Sequence, residues 1–236
     1  MEYIKNYNQY SDDLIIEKLN LQPLLDKFKK SINKIGISKL IVGTLLAVFT
    51  VNQAVNFIEN RLNLNDSDKK VLVETIHKYN DPLNMSISAD GIQHIKNYEK
   101  LKLKAYNLHD GKVTVGFGHA EPIGKSAYRV GQVISEELAN SLLEKDVNAA
   151  AAGVKRMFRD WNKDSIHIKI TQKQFDTMVS LAFNMGVTSF RRSNFVQTFK
   201  HKDFSKAAEL IKTTGLRDGY AGLIDRRNTE YQMFVS

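Results

Sequence analysis

Apolar positions recur at near-helical spacing through Leu14, Ile15, Leu19, Leu24, Leu25, Phe28 and Ile32, so residues 1–36 read as an amphipathic helical segment, with Pro23 marking a break or a new start. Such a face needs a partner, and its own chain, another protein and a membrane surface all remain open. The next run, Leu40 to Ile58, holds 19 residues without a formal charge, just long enough to cross a bilayer. Asn52, Gln53 and Asn56 fall in its second half, which leaves 12 strictly apolar residues, a length also suited to a buried helix. Lys27, Lys29, Lys30, Lys34 and Lys39 precede the run, while Glu59, Arg61, Asp66 and Asp68 follow it. Residues 37–60 are therefore expected to form a hydrophobic helix that serves as a membrane anchor, with the N-terminus on the cytoplasmic side. A cleavable signal peptide does not fit, because nearly forty residues precede the run and no small-residue cleavage site follows it.

Residues 61–87 read as a helical connector that begins at the cap-like Asn65-Asp66-Ser67-Asp68 cluster and stops at the turn signal Asp81-Pro82. The last zone, residues 88–236, starts at Ser88, a good helix cap, and continues through Ile92, Ile95, Tyr98 and Leu101 at helical spacing. The pattern then changes. Residues 103–120 alternate and carry Asp110-Gly111, a hairpin signal, followed by Gly116 and Gly118, where the backbone must bend or approach something closely. Beyond the hairpin, helices are predicted for Ser135–Ala152, Thr171–Asn184 and Asp203–Lys212, which makes this zone α+β, with a small hairpin lobe and a larger helical lobe.

Composition narrows the chemistry. With no cysteine in 236 residues, thiol catalysis and thiolate metal sites are excluded. The six histidines are dispersed and there is no HExxH, so neither a zinc site nor any other metal or cofactor is expected. The net charge of +8 is concentrated after residue 87, where 23 Lys and Arg face 16 Asp and Glu. A basic domain is drawn to polyanions such as nucleic acid, anionic membrane or bacterial wall. No docking motif or interleaving of aromatic with basic residues points to specific nucleic-acid binding.

The stretch Glu99 to His119 places three candidate catalytic groups, Glu99, Asp110 and Thr114, on two elements of different type. Cleavage of a sugar bond needs a protonated carboxylic acid beside the leaving oxygen and a second polar group on the opposite face, so supports from separate elements suit it.

At these residues the chain resembles the phage-type lysozymes, the endolysin muramidases of tailed bacteriophages in glycoside hydrolase family 24. Three ordered motifs carry the resemblance over about residues 88–236. They are Glu99 with LKLKAY, Gly111 and TVGFGH; then TQKQFDTMVSLAFNMGVTSFRRSNF; and finally DFSKAAELI with GLIDRRNTEYQMF. The resemblance implies a lysozyme-like α+β fold and hydrolysis of the β-1,4 bond between N-acetylmuramic acid and N-acetylglucosamine in peptidoglycan, by inversion. It makes Glu99 the general acid, with Thr114 helping to hold the nucleophilic water. Asn184 and Gly186 would line the sugar-binding cleft, and His119 would brace the hairpin. Arg226 and Arg227 would make structural ion pairs, while Arg191 and Arg192 would either meet carboxylates of the wall or form a solvated basic turn.

One position departs from the pattern. Many relatives carry an Asp nine residues after the Glu, and here that residue is Leu108. Asp110 is then either the second carboxyl of the cleft or the turn-forming partner of Gly111. The departure motivates an alternative, a non-catalytic wall-binding or virion structural protein that keeps the fold. Residues 1–60 would hold the enzyme at the inner membrane with its catalytic domain in the periplasm, or join it to membrane or virion proteins.

Overall fold

The structure, a computed structural model, describes residues 73–216 and 221–236 together with the isolated positions 53, 55 and 70. The chain divides into two compact units, Met1–Asn80 and Asp81–Ser236. The amphipathic segment expected over residues 1–36 lies outside the described residues, as does nearly all of the hydrophobic helix expected over 37–60. Among the described residues no helix is long and apolar enough to cross a membrane.

The second unit opens with a 3-10 turn, Pro82–Asn84, which Asp81 caps by accepting from the Leu83 N–H. Helix α1, Ala89–Glu99, begins at Ser88, whose hydroxyl oxygen accepts from the Gly91 N–H at 3.1 Å. That cap is itself held across the fold. The buried Asp176 accepts from the Ser88 N–H at 3.0 Å and from its hydroxyl at 2.5 Å. The start of α1 is thereby fixed, and its far end carries Glu99.

Three antiparallel strands follow in the order β1 (Lys102–Tyr106), β2 (Lys112–Gly116) and β3 (His119–Pro122). The predicted hairpin is present, and β3 extends it into a sheet, pairing Val115 with His119 and Thr114 with Ala120. Val113, Thr114, Val115 and Gly116 of the central strand are all buried, because both of its faces are covered. Gly116, at φ +67°, lets the sheet meet the next helix, where an added Cβ would lie 3.2 Å from Ala139 Cβ.

The helical lobe comprises α2 (Glu136–Lys163), α3 (Gln172–Met185), α4 (Val187–Arg192), α5 (Asn194–Lys200), α6 (Phe204–Ile211) and α7 (Ala221–Val235). Ser135 caps α2, and a reciprocal Thr171–Gln174 capping box starts α3. Helix α2 runs 11 residues past the predicted end at Ala152, since Gly153 is absorbed by packing. Buried aromatic residues fill the core between α2, α5, α6 and α7: Phe199 lies 4.8 Å from Phe204 and 6.0 Å from Phe234, and Phe158 lies 5.1 Å from Trp161. Arg191 donates to Asp160 at 2.7 Å, so of the two open readings of that arginine the structure supplies a third, an ion pair to α2.

At the α2–α4 crossing a Cβ on Gly153 would lie 2.5 Å and 2.6 Å from the two γ-methyls of Val187, a stiff β-branched side chain. Gly153→Ala should therefore cost about 1–3 kcal/mol through overpacking, read as a fall in the denaturant midpoint at unchanged m-value.

Candidate active site

Helix α1 ends because Lys100 turns the chain at φ +44°, sending it into β1 and leaving Glu99 at the junction of the two lobes. The Glu99 side chain is 20 % exposed, and it lines a cleft of about 540 Å³. The β lobe contributes Gly118 and His119 to this cleft, α2 contributes Asp146 and Arg156, and the end of α3 contributes Asn184 and Gly186. Gly118 is at φ +90°, and an added Cβ would stand 3.6 Å from Glu99 Oε2, so the sheet turns beside the acid with nothing between them.

Glu99 Oε1 accepts from Arg226 Nη1 at 2.6 Å. Arg226 is buried, and so is its neighbour Arg227. Both guanidiniums meet one carboxylate, Glu230, at 3.1 Å from Arg226 Nε to Oε1 and 2.5 Å from Arg227 Nη1 to Oε2. The Ser180 hydroxyl donates to Glu230 Oε1 at 2.6 Å. Arg227 also donates to the Thr214 carbonyl and to Asn184 Oδ1, each at 2.6 Å. Glu99 and Asn184 are thus held by two arginines that share one counter-ion.

His94 Nε2 stands 3.8 Å from Glu230 Oε1. Burial alone would push the Glu230 carboxyl up. The contact with His94, the charges of Arg227 and Arg226, and the Ser180 hydroxyl together hold it below the usual glutamate range.

The β lobe is tied to the helices at a second point. His119 Nδ1 lies 2.8 Å from Asp146 Oδ2 on α2, and its Nε2 lies 3.2 Å from Glu121 Oε1 on its own strand. The Ala127 N–H, then His119, hold the Glu121 carboxyl below its usual range.

The residues singled out in the sequence divide into two groups. Glu99, Asn184 and Gly186 share the cleft, whereas Asp110 and Thr114 are not among the residues that line it. Thr114 is 5 % exposed in the central strand, opposite Tyr106 and Ala120. Asp110 is exposed, and its Oδ1 accepts from the Lys112 N–H at 3.1 Å, closing the turn. Tyr106 relates the two groups. Its hydroxyl is pushed up first by burial and then by the charges of both Glu99 and Asp110. Leu108, at the departing position, is 64 % exposed.

Asp146, Arg156 and Glu230 are not among the residues that the sequence singles out for the site. Glu230 sits within the closing motif beside the two arginines, a local signal, while Asp146 and Arg156 reach the cleft only through the packing of α2. Among the described residues no group of three or more His, Asp or Glu could hold a metal ion.

A family profile described as phage lysozyme matches residues 96–230. The endolysin of Acyrthosiphon pisum secondary endosymbiont phage 1 is 35 % identical over 158 residues, covering 64 % of this chain and 99 % of that one. Among solved structures, the muramidase domain of SpmX from Asticaccaulis excentricus aligns with a TM-score of 0.55 at 28 % identity, over 65 % of this chain and 99 % of that one. The endolysin from Escherichia coli O157:H7 phage FAHEc1 aligns at 0.54 with 28 % identity, over 65 % and 95 %.

Replacing Glu230 by Gln leaves two buried guanidiniums short of a counter-charge and should destabilise the fold by on the order of 3 kcal/mol. Because the folded state holds this carboxyl below its unfolded value, its contribution is complete above about pH 4.3 and is lost as pH falls through the folded value. Urea titrations of wild type and Glu230→Gln should differ fully at pH 6–7 and converge in acid.

Proposed function

The chain belongs to the phage lysozyme family, and we propose that its cleft cuts the β-1,4 bond between N-acetylmuramic acid and N-acetylglucosamine by inversion, with Glu99 as general acid. It is a peptidoglycan-degrading lysozyme, a glycoside hydrolase. The observation that carries the residue assignment is the position of Glu99, which lines the cleft with a side chain 20 % exposed and is held by Arg226 at 2.6 Å.

Glu99 passes its proton to the bridging oxygen as the C1–O bond breaks and positive charge gathers on C1 and the ring oxygen. The carboxylate left behind is steadied by Arg226, whose charge Glu230 already shares. Water attacks C1 from the opposite face; we assign its proton to Asp110 and its orientation to Thr114, which requires both to reach the cleft that neither lines here. Asn184 and the backbone at Gly186 hold the sugar at the cleft wall. In an inverting site the two carboxyls stand roughly 6.5–9.5 Å apart with a water between them. A wall-binding protein without turnover is disfavoured by family membership.

Residues 1–60 would deliver the domain to the wall, as an inner-membrane anchor with the cleft in the periplasm or as an attachment to the virion. Fractionation of the intact chain separates these: recovery with membranes supports the anchor, and recovery with purified particles supports attachment.

Glu99→Gln should reduce clearing of purified walls by about 10³-fold, and Asp110→Asn by about 10²-fold. The first product seen by proton NMR should be the α-anomer. Leu108→Asp, at an exposed position, should fold normally and restore turnover to Asp110→Asn. Undiminished clearing by Glu99→Gln would refute the acid assignment, a β-anomer would refute inversion, and full activity in Asp110→Asn would move the base elsewhere.

A further inference from the structure

The ionisable groups that line the cleft are Glu99, His119, Asp146 and Arg156. Three are committed: Glu99 to Arg226, and His119 and Asp146 to each other. Arg156 is exposed and makes no hydrogen bond or ion pair among the described residues. Its neighbours on α2 do not neutralise it, since Asp160 is engaged by Arg191 at 2.7 Å and by Lys163 at 3.9 Å.

Arg156 lies 10 residues beyond Asp146 on α2, about 15 Å along the helix axis. Between them the cleft side of the helix carries only Ala149 and Ala150. This leaves a stretch of floor without charge between Asp146 and a lone guanidinium. An uncharged glycan backbone offers such a cation nothing to pair with. The carboxylates of peptidoglycan lie on the peptide stems that branch from its muramic acid residues, and a guanidinium fork matches a carboxylate with two parallel hydrogen bonds.

Resting on the lysozyme reading of the same cleft, we propose that Arg156 is a specificity residue that binds a stem carboxylate of the strand being cut. It selects glycan that carries peptide over glycan stripped of it, and it sets which sugars lie across Glu99.

The test compares three soluble, phosphate-free glycan substrates: one with intact stems, one with its stems removed by an amidase and the lactyl carboxylates so exposed converted to amides, and one with its stem carboxylates converted to amides. Wild type should show about a tenfold higher kcat/KM on intact stems than on either of the others, carried mainly by KM. Arg156→Gln should reduce that preference to within about twofold, and Arg156→Glu should invert it. Arg156→Lys, which keeps the charge without the fork, should retain part of it.

A preference that survives in Arg156→Gln, or that persists on amidated stems, would overturn the proposal. Absence of turnover by wild type on all three substrates would instead refute the lysozyme reading, so the two failures are distinguishable. Circular dichroism of each variant confirms folding, which an exposed position should not disturb.

Discussion

Two arginines inside a protein are a liability unless something answers their charge, and here a single carboxylate does most of it. Glu230 is fully buried and lies three and four residues along α7 from Arg227 and Arg226, so all three project from one side of the helix into the core. The desolvation of two guanidiniums costs several kcal/mol each, and the arrangement is tolerable only because nearly every donor is used. The remaining donors reach the Thr214 carbonyl, Ser180, Asn184 and Glu99. Satisfying the buried charge and placing the acid beside the cleft-lining amide are therefore one event. Helix α7 cannot dock without drawing Glu99 and Asn184 to fixed positions.

The second constraint is that the β lobe must approach this acid closely while staying attached to the helices. Gly118 meets the first requirement, having no Cβ and a positive φ. His119, the next residue, meets the second through Asp146. The small side chains at Ala149 and Ala150 then leave an open channel along α2. The cleft is what remains between elements that are each fixed for packing reasons.

Local chemistry made much of this visible in the chain itself. Ser88, Ser135 and Thr171 announce their helices because a capping hydroxyl acts within three residues, and Asp110-Gly111 announces its turn for the same reason. Glu99 stood out by its place at the end of one periodicity and the start of another. What was hidden depends on distant partners. The strand His119–Pro122 is too short to show alternation and ends in a proline, so only its pairing with β2 makes it a strand. The extension of α2 to Lys163 runs through a glycine that reads as a breaker, until Val187 is found seated against it. Arg191 looked like a free cation because Asp160 lies 31 residues away. Arg156 gave no sign at all, since its meaning comes from which neighbours are already paired.

The central claim is that catalysis is organised around Glu99 in the cleft between the sheet, α2 and α3. The most direct measurement is a crystal structure of the Glu99→Gln variant soaked with a muramic acid-containing oligosaccharide. The account predicts a glycosidic oxygen within about 2.6–3.2 Å of the residue 99 side chain, with sugars lying along Ala149 and Ala150 against Asn184. An oligosaccharide seated elsewhere, for example against the outer edge of β1 near Tyr106 and Val130, with the Glu99 cleft empty, would contradict it.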